Sequence, residues 1–283
     1  MRRSVLILAV LAAGCGAGAP AGDGPRVVAT TTQLADMARN VAPSAQVTTL
    51  LTANTDPHSY EVRPRDVKAL AKADVVLRSG GETDEWLDGA LDSAGVDPDA
   101  VVDAGRAAGL EGDDPHWWQD PRRAERAVAS IGRAIPGADP GPYAARLRAL
   151  DAAVEQCLAT VPRPQRRLVT SHDALGYFAR RYGIDVVGTV IPALSTSAQP
   201  SAGDVTRLVD TIRASGVKTI FAESSVNPKV EQAIAREAGA RVGPPLWADS
   251  LAPGGTYIGS IADNTRALVE GFTGRPAECE LDA

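Results

Sequence analysis

From residue 26 onward, short β-branched apolar runs alternate with longer segments of helical spacing, the pattern of a parallel α/β sheet. Residues 27–30, 47–51, 75–78 and 101–103 are predicted strands. Between them, residues 32–41, 64–73 and 83–94 carry apolar positions at helical spacing, and Pro64 suits a first helical turn. A further helix is predicted over 121–135. Residues 136–142 (Pro-Gly-Ala-Asp-Pro-Gly-Pro) are too rich in proline and glycine to continue it. Residues 143–161 then give about five uninterrupted turns of helix. Leu147, Leu150, Val154 and Leu158 lie along one side of it, and Pro162 and Pro164 end it.

The alternation restarts after this helix. Predicted strands at 168–171, 186–190, 219–222 and 242–247 separate helices at 174–182, 202–215, 228–238 and 257–272. The expected fold class is therefore α/β, with two halves of similar size, mostly parallel in their sheets, joined by one long helix. The expected organisation is a leader and tether over 1–25, an N-terminal lobe over 26–139, a connecting helix over 140–163 and a C-terminal lobe over 164–283. The halves share no self-similarity that would make them repeats of one another.

The first residues have a different character. Arg2 and Arg3 precede an apolar run over 5–13 that ends in small residues and Cys15. This is the layout of a secretory signal, and the run falls short of the roughly 20 apolar residues needed to span a bilayer. Leu11-Ala12-Ala13-Gly14-Cys15 resembles the lipobox of bacterial lipoproteins, with Ala12 where leucine is usual, which makes Cys15 the expected lipid-modified residue. Residues 16–25 read as a flexible tether. The expected setting is extracytoplasmic, anchored to the cell membrane. There Cys157 and Cys279, the two cysteines that remain, are free to pair.

Charge narrows the function classes. The net charge of −6 comes without any run of lysine or arginine that could track a phosphate backbone, which argues against a nucleic-acid partner.

The chain has three histidines, His58, His116 and His172, and each follows a predicted strand. Ligands of open parallel sheets collect beyond the carboxyl ends of the strands, so both halves would aim these residues at a common cleft. His58 and His116 sit in near-duplicate contexts, Asp56-Pro57-His58 and Asp114-Pro115-His116, where proline restricts the backbone that carries the imidazole. One such loop histidine is unremarkable, whereas three in such positions point to metal ligation. Neutral imidazole suits zinc and its neighbours, and four His and carboxylate ligands close a tetrahedral site without leaving a position for catalysis. Two carboxylates compete for the fourth place: Asp249, after the last predicted strand, and Glu223, at the end of 219–222. A secreted zinc hydrolase would need an open coordination position and a general base, and no His-Glu-x-x-His motif supplies them. A surface adhesin is a third class compatible with an anchored protein of this shape.

With these residues assembled, the chain resembles the cluster A-I substrate-binding proteins of ABC transporters for zinc and manganese, the ZnuA and TroA group. The resemblance rests on Asp56-Pro57-His58-Ser59-Tyr60-Glu61 with Pro64, and on Asp114-Pro115-His116-Trp117-Trp118-Gln119-Asp120-Pro121. It extends to Ser171-His172-Asp173-Ala174, Tyr177-Phe178, Tyr182-Gly183, Gln199-Pro200-Ser201 and Phe221-Ala222-Glu223. It implies two α/β lobes bridged by a rigid helix, with the metal held between them by His58, His116, His172 and Asp249. It also implies a monomer that captures the ion with high affinity and hands it to a permease and ATPase complex. Glu61 would at most orient an imidazole by a hydrogen bond, and Glu223 is a second candidate for such support. Manganese-binding relatives often carry glutamate at the third ligand position; His172 there makes Zn2+ the expected cargo, with Mn2+ the alternative. Many zinc members have a histidine-rich acidic loop before the second motif, whereas residues 105–114 contain no histidine and read as a solvated loop.

Overall fold

The computed structural model describes residues 24–225 and 227–281, so the predicted leader and Cys15 lie outside the described residues. In the N-terminal half, β1 (Arg26–Ala29) runs parallel to both of its neighbours, β2 (Gln46–Thr49) and β3 (Val75–Arg78). Val27 pairs with Val47 on one side and Val75 on the other. Addition of β4 (Val101–Asp103) completes the order β2-β1-β3-β4. Val27, Val28 and Ala29 are all buried, as expected of a central parallel strand covered on both faces. The crossovers are α1 (Thr32–Val41), α2 (Pro64–Leu70) and α3 (Leu87–Ala94). The Thr31 hydroxyl accepts from the Leu34 N–H and so starts α1 directly after β1.

The stretch expected to be a solvated loop opens with a short helix, α4 (Ala104–Ala108). Asp103 caps it by accepting from the Arg106 N–H at 2.8 Å, and Gly109, with φ of 78°, stops it. Gly105 allows the helix to sit against the sheet, since a Cβ there would lie 2.3 Å from the Ser79 carbonyl oxygen. The loop proper begins only after Gly109.

In the C-terminal half, β5 (Arg167–Thr170) pairs in parallel with β6 (Asp185–Thr189), and β7 (Thr219–Ile220) with β8 (Arg241–Val242). A bridge between Thr170 and Phe221 joins the two pairs into the order β6-β5-β7-β8. The crossovers are α7 (Gly176–Tyr182), α8 (Ala202–Ser215) and α9 (Lys229–Ala238), and α10 (Tyr257–Thr273) closes the lobe. The strand expected over 242–247 is interrupted. Pro244 and Pro245 bring no N–H to the ladder, and pairing returns only at a bridge between Glu223 and Leu246.

Two helices follow the first lobe, α5 (Pro121–Ala134) and the 19-residue α6 (Gly141–Ala159), which is about 28 Å long at 1.5 Å per residue. Leu147, Leu150, Val154 and Leu158 of α6 share one buried cluster with Val27 of β1, Leu168 of β5 and Leu268 of α10, so this helix is core to both lobes. Buried Asp151 adds a polar clasp at its middle. It accepts from Arg122 Nε of α5 at 2.5 Å, from Arg181 Nε and Nη2 of α7 at 2.9 and 2.7 Å, and from the Tyr182 hydroxyl at 3.0 Å. Cys157 of α6 is bonded to Cys279, which ties the segment after α10 back to the connecting helix. Among the described residues, no helix is long and apolar enough to cross a membrane.

Candidate metal centre

His58 stands in a 3-10 turn, Pro57–Ser59, that follows β2. Its N–H donates to Asp56 Oδ1 at 3.0 Å. The second Asp-Pro-His sequence folds the same way: the His116 N–H donates to Asp114 Oδ1 at 3.1 Å, just before a 3-10 turn at Trp117–Gln119. Aspartate side chains that bond a backbone N–H two residues on are local turn makers, so this rigidity comes from the sequence itself. Asp114 does more, because its Oδ1 also lies 2.9 Å from His116 Nδ1 and orients the ring. Sequence reasoning quoted Asp114 as part of the motif and missed this role, which the fixed spacing to His116 could have suggested.

His172 leaves the end of β5. Glu223, one strand over, accepts from its N–H at 2.9 Å through Oε1 and lies 2.6 Å from its Nδ1 through Oε2. Glu223 also accepts from the Thr170 hydroxyl at 3.1 Å. It is therefore placed beside the imidazole and outside the donor cluster. Glu61 is exposed and makes no hydrogen bond to a histidine ring among the described residues, which corrects the expectation that it supports one. Asp114 and Glu223 occupy that place.

Asp249 reaches the cleft from the irregular segment beyond Leu246. Its backbone is gripped from the opposite lobe, where Trp118 Nε1 and Gln119 Nε2 each donate to the Ala248 carbonyl at 2.8 Å. Asn264 of α10 holds Trp247, accepting from its N–H and donating to its carbonyl, each at 2.8 Å. The tryptophans next to His116 are thus buried packing residues, Trp118 bonding across the lobes and Trp117 donating from Nε1 to the Ser79 carbonyl of its own lobe at 2.9 Å.

These elements bring His58, His116, His172 and Asp249 together with one donor atom from each within 4.8 Å of the others. The three ring centroids are 5.1 to 5.7 Å apart. His116 Nε2 is 3.3 Å from His172 Nε2 and 3.4 Å from Asp249 Oδ1, and His172 Nε2 is 3.6 Å from Asp249 Oδ2. His116, His172 and Asp249 are buried, and His58 is half-buried at the rim. Both ring nitrogens of His58 and both oxygens of Asp249 are shut from solvent without a hydrogen-bond partner among the described residues.

Charge in the cluster is unevenly held. Burial pushes the His58 imidazole below its ordinary pKa, which keeps it neutral. Burial also opposes a charge on His172, but the carboxylates of Glu223 and Asp249 outweigh it and push this imidazole up to about 9. His116 is raised too: burial is outweighed by its hydrogen bond with Asp114 and by the Asp249 carboxylate 3.4 Å from Nε2. Burial resists ionisation of Asp249, yet His172 and His116 together hold it well below the usual carboxylate range.

A two-lobed α/β fold with three imidazoles and a carboxylate gathered between the lobes is that of a metal-binding substrate-binding protein of the ABC-transporter kind, a binder and not an enzyme. A family model described as zinc-uptake complex component A, periplasmic (ZnuA), matches residues 27–271, and the chain belongs to this family. It is 30% identical over 269 residues to the iron-binding protein YfeA of Yersinia pestis, covering 87% of this chain and 86% of that one. It is 31% identical over 300 residues to the manganese-binding lipoprotein MntA of Bacillus subtilis, covering 95% and 96%. Its fold is similar to the solved periplasmic zinc-binding protein TroA of Treponema pallidum, with a TM-score of 0.78 and 26% identity over 88% of this chain and 99% of that one. The extracytoplasmic, membrane-anchored setting expected from the sequence is the setting of this group, several members of which are named lipoproteins.

Proposed function

We propose that the chain captures a divalent transition metal, Zn2+ in preference to Mn2+, with His58, His116, His172 and Asp249, and passes it to the permease and ATPase of an ABC transporter. The observation that carries this reading is the convergence of the four donors around buried atoms that nothing else satisfies. An unpaired buried polar atom costs about 1–3 kcal/mol, a cost that an ion among these atoms relieves. Tetrahedral zinc with bonds near 2.0 Å has ligand-to-ligand edges of about 3.3 Å. The separations of 3.3, 3.4 and 3.6 Å in the cluster are close to that value. Three nitrogens and one carboxylate favour zinc over an ion that prefers an oxygen-rich octahedral shell. Manganese is the second reading, because the two unpaired oxygens of Asp249 would let it bind through both and raise the donor count.

In this reading residues 26–139 and 164–283 are the two lobes, residues 140–163 connect them, and a lipid on Cys15 tethers the monomer beside its permease. Isothermal titration of the mature protein tests the ligand set. Zinc binds tightly at neutral pH and His172→Ala loses most of that affinity; equal binding by the variant defeats the assignment. Metal analysis of protein purified without chelators, with competitive titration of zinc against manganese, decides the cargo. Copper is omitted from that competition because it outbinds both at most such sites on intrinsic affinity.

A further inference from the structure

Of the three imidazoles, His58 is the one whose ring no described side chain bonds. Asp114 faces His116 Nδ1 and Glu223 faces His172 Nδ1, whereas both ring nitrogens of His58 are without a hydrogen-bond partner among the described residues. The peptide of His58 is gripped instead, and from the opposite lobe. Asp56 accepts from the His58 N–H through Oδ1, and its Oδ2 accepts from the Thr196 hydroxyl at 2.5 Å. The His58 carbonyl accepts from the Ser197 hydroxyl at 3.2 Å.

Thr196 and Ser197 belong to the connection between β6 and α8, and the near end of that connection is fixed around His172. The Ile191 N–H donates to the Ser171 carbonyl at 2.7 Å, and the Asp173 N–H donates to the Ala193 carbonyl at 3.1 Å. A single segment therefore holds the peptides on either side of one ligand and, three residues later, the peptide of another ligand on the other lobe. A second tether acts on the loop that leads into this turn: the N–H of Asn54, whose φ is a left-handed 60°, donates to Ser250 Oγ at 3.1 Å, beside Asp249.

The lobes have little freedom to part as whole bodies, because α6 is core to both and Asp151 clasps α5 and α7 to it. The His58 turn is the element of the centre with the least side-chain support and the greatest access to solvent.

We propose that Thr196 and Ser197 are positioning residues that latch His58 into the centre, and that opening of this latch sets the rate at which the bound ion leaves. The inference rests on His58 being a ligand. With the latch closed, the peptide that carries the imidazole is held at the centre, so the ring stays within reach of the ion. With it open, the turn carries His58 out toward solvent while His116, His172 and Asp249 stay in place.

The test uses the full mature chain loaded with zinc, whose release into a chromophoric chelator is followed by stopped flow. Thr196→Val keeps the shape and removes the hydroxyl, and Ser197→Ala changes an exposed side chain that the fold does not need. A hydrogen bond to a neutral acceptor is worth roughly 2- to 12-fold, and one to an ionised acceptor about tenfold or more. Thr196→Val therefore releases zinc about tenfold faster or more and Ser197→Ala a few-fold faster, with the association rate unchanged, while Thr196→Ser keeps the hydroxyl and releases at the wild-type rate. Wild-type release from both Thr196→Val and Ser197→Ala, in a protein whose His58→Ala variant binds weakly, overturns the latch and leaves the ligand set standing. Release from Thr196→Ser as fast as from Thr196→Val also overturns it, since packing of the methyl group would then be the cause. Wild-type affinity in His58→Ala removes His58 from the ligand set, and the latch with it.

Discussion

Glu223 fixes both the ring and the peptide of His172, with one oxygen 2.6 Å from Nδ1 and the other accepting from the N–H at 2.9 Å. A buried carboxylate in this position orients the imidazole and leaves Nε2 as the nitrogen that faces the cluster. Glu223→Gln keeps the shape and weakens the hold. Metal affinity should fall by about 10- to 100-fold, the usual cost of losing such a partner, measured by competition with a chelator of known strength. Unchanged affinity would show that the ring needs no such orientation.

The raised pKa of His172 implies that metal and protons compete at physiological pH. With its imidazole pushed up to about 9, His172 is protonated at pH 7 in the absence of an ion, and coordination must expel that proton. As pH falls below about 9 the protonated form gains and metal binding weakens, by roughly one logarithmic unit per pH unit for each imidazole that must lose a proton. His58, whose pKa is depressed, joins this competition only at lower pH. Calorimetry at pH 7 in buffers of different ionisation enthalpy should count at least one proton released per ion. No dependence on the buffer would contradict this account.

Trp118 lies with its ring centroid 5.3 Å from that of His116, edge to face, and it is buried. An ion placed on His116 changes the field at this indole without any movement of the lobes. Intrinsic fluorescence should therefore change on addition of zinc, and Trp118→Phe should remove most of the change. A flat signal alongside binding seen by calorimetry would show that the ring does not sense the centre.

The bond between Cys157 and Cys279 closes a loop with a sequence separation of 122. Cross-links over long loops contribute roughly 2–5 kcal/mol in exported domains, mainly by restricting the unfolded chain. A Cys157→Ser, Cys279→Ser double variant should unfold at lower denaturant concentration by about that free energy and still bind zinc, since neither cysteine is among the clustered donors. Two reactive thiols in the unreduced, denatured wild-type protein would show that the bond does not form.

Much of the fold was legible because each central strand is a compact β-branched run and each crossover has helical spacing. The predicted β3 and β4 and the predicted α1 and α8 match the observed elements residue for residue. The ends that moved have local causes. α3 begins at Leu87 because Gly81–Asp84 forms a 3-10 turn, in which Asp84 accepts from the Gly80 N–H at 3.0 Å. α4 was overlooked although its cap Asp103 and stop Gly109 were both present in the sequence. Three ligand candidates could be chosen because histidine is scarce and the Asp-Pro-His motif occurs twice. The division of labour between Asp249 and Glu223 comes only from the family resemblance, since it depends on β7 lying beside β5, and strand order is not written in local pattern. The same limit hid Thr196 and Ser197, which lie in a connection with no periodicity and become informative only when set against the opposite lobe.

The four clustered residues span positions 58 to 249, and the chain passes from one lobe to the other through α6. Domains tend to fold in order from the amino terminus, so the first lobe can form while later residues are still being translocated. Two imidazoles on that lobe alone make a poor trap. On the proposed ligand set, Asp249 completes the coordination sphere only after nearly all of the described chain has been made. A site assembled in that order closes late, so a half-built chain has little hold on metal.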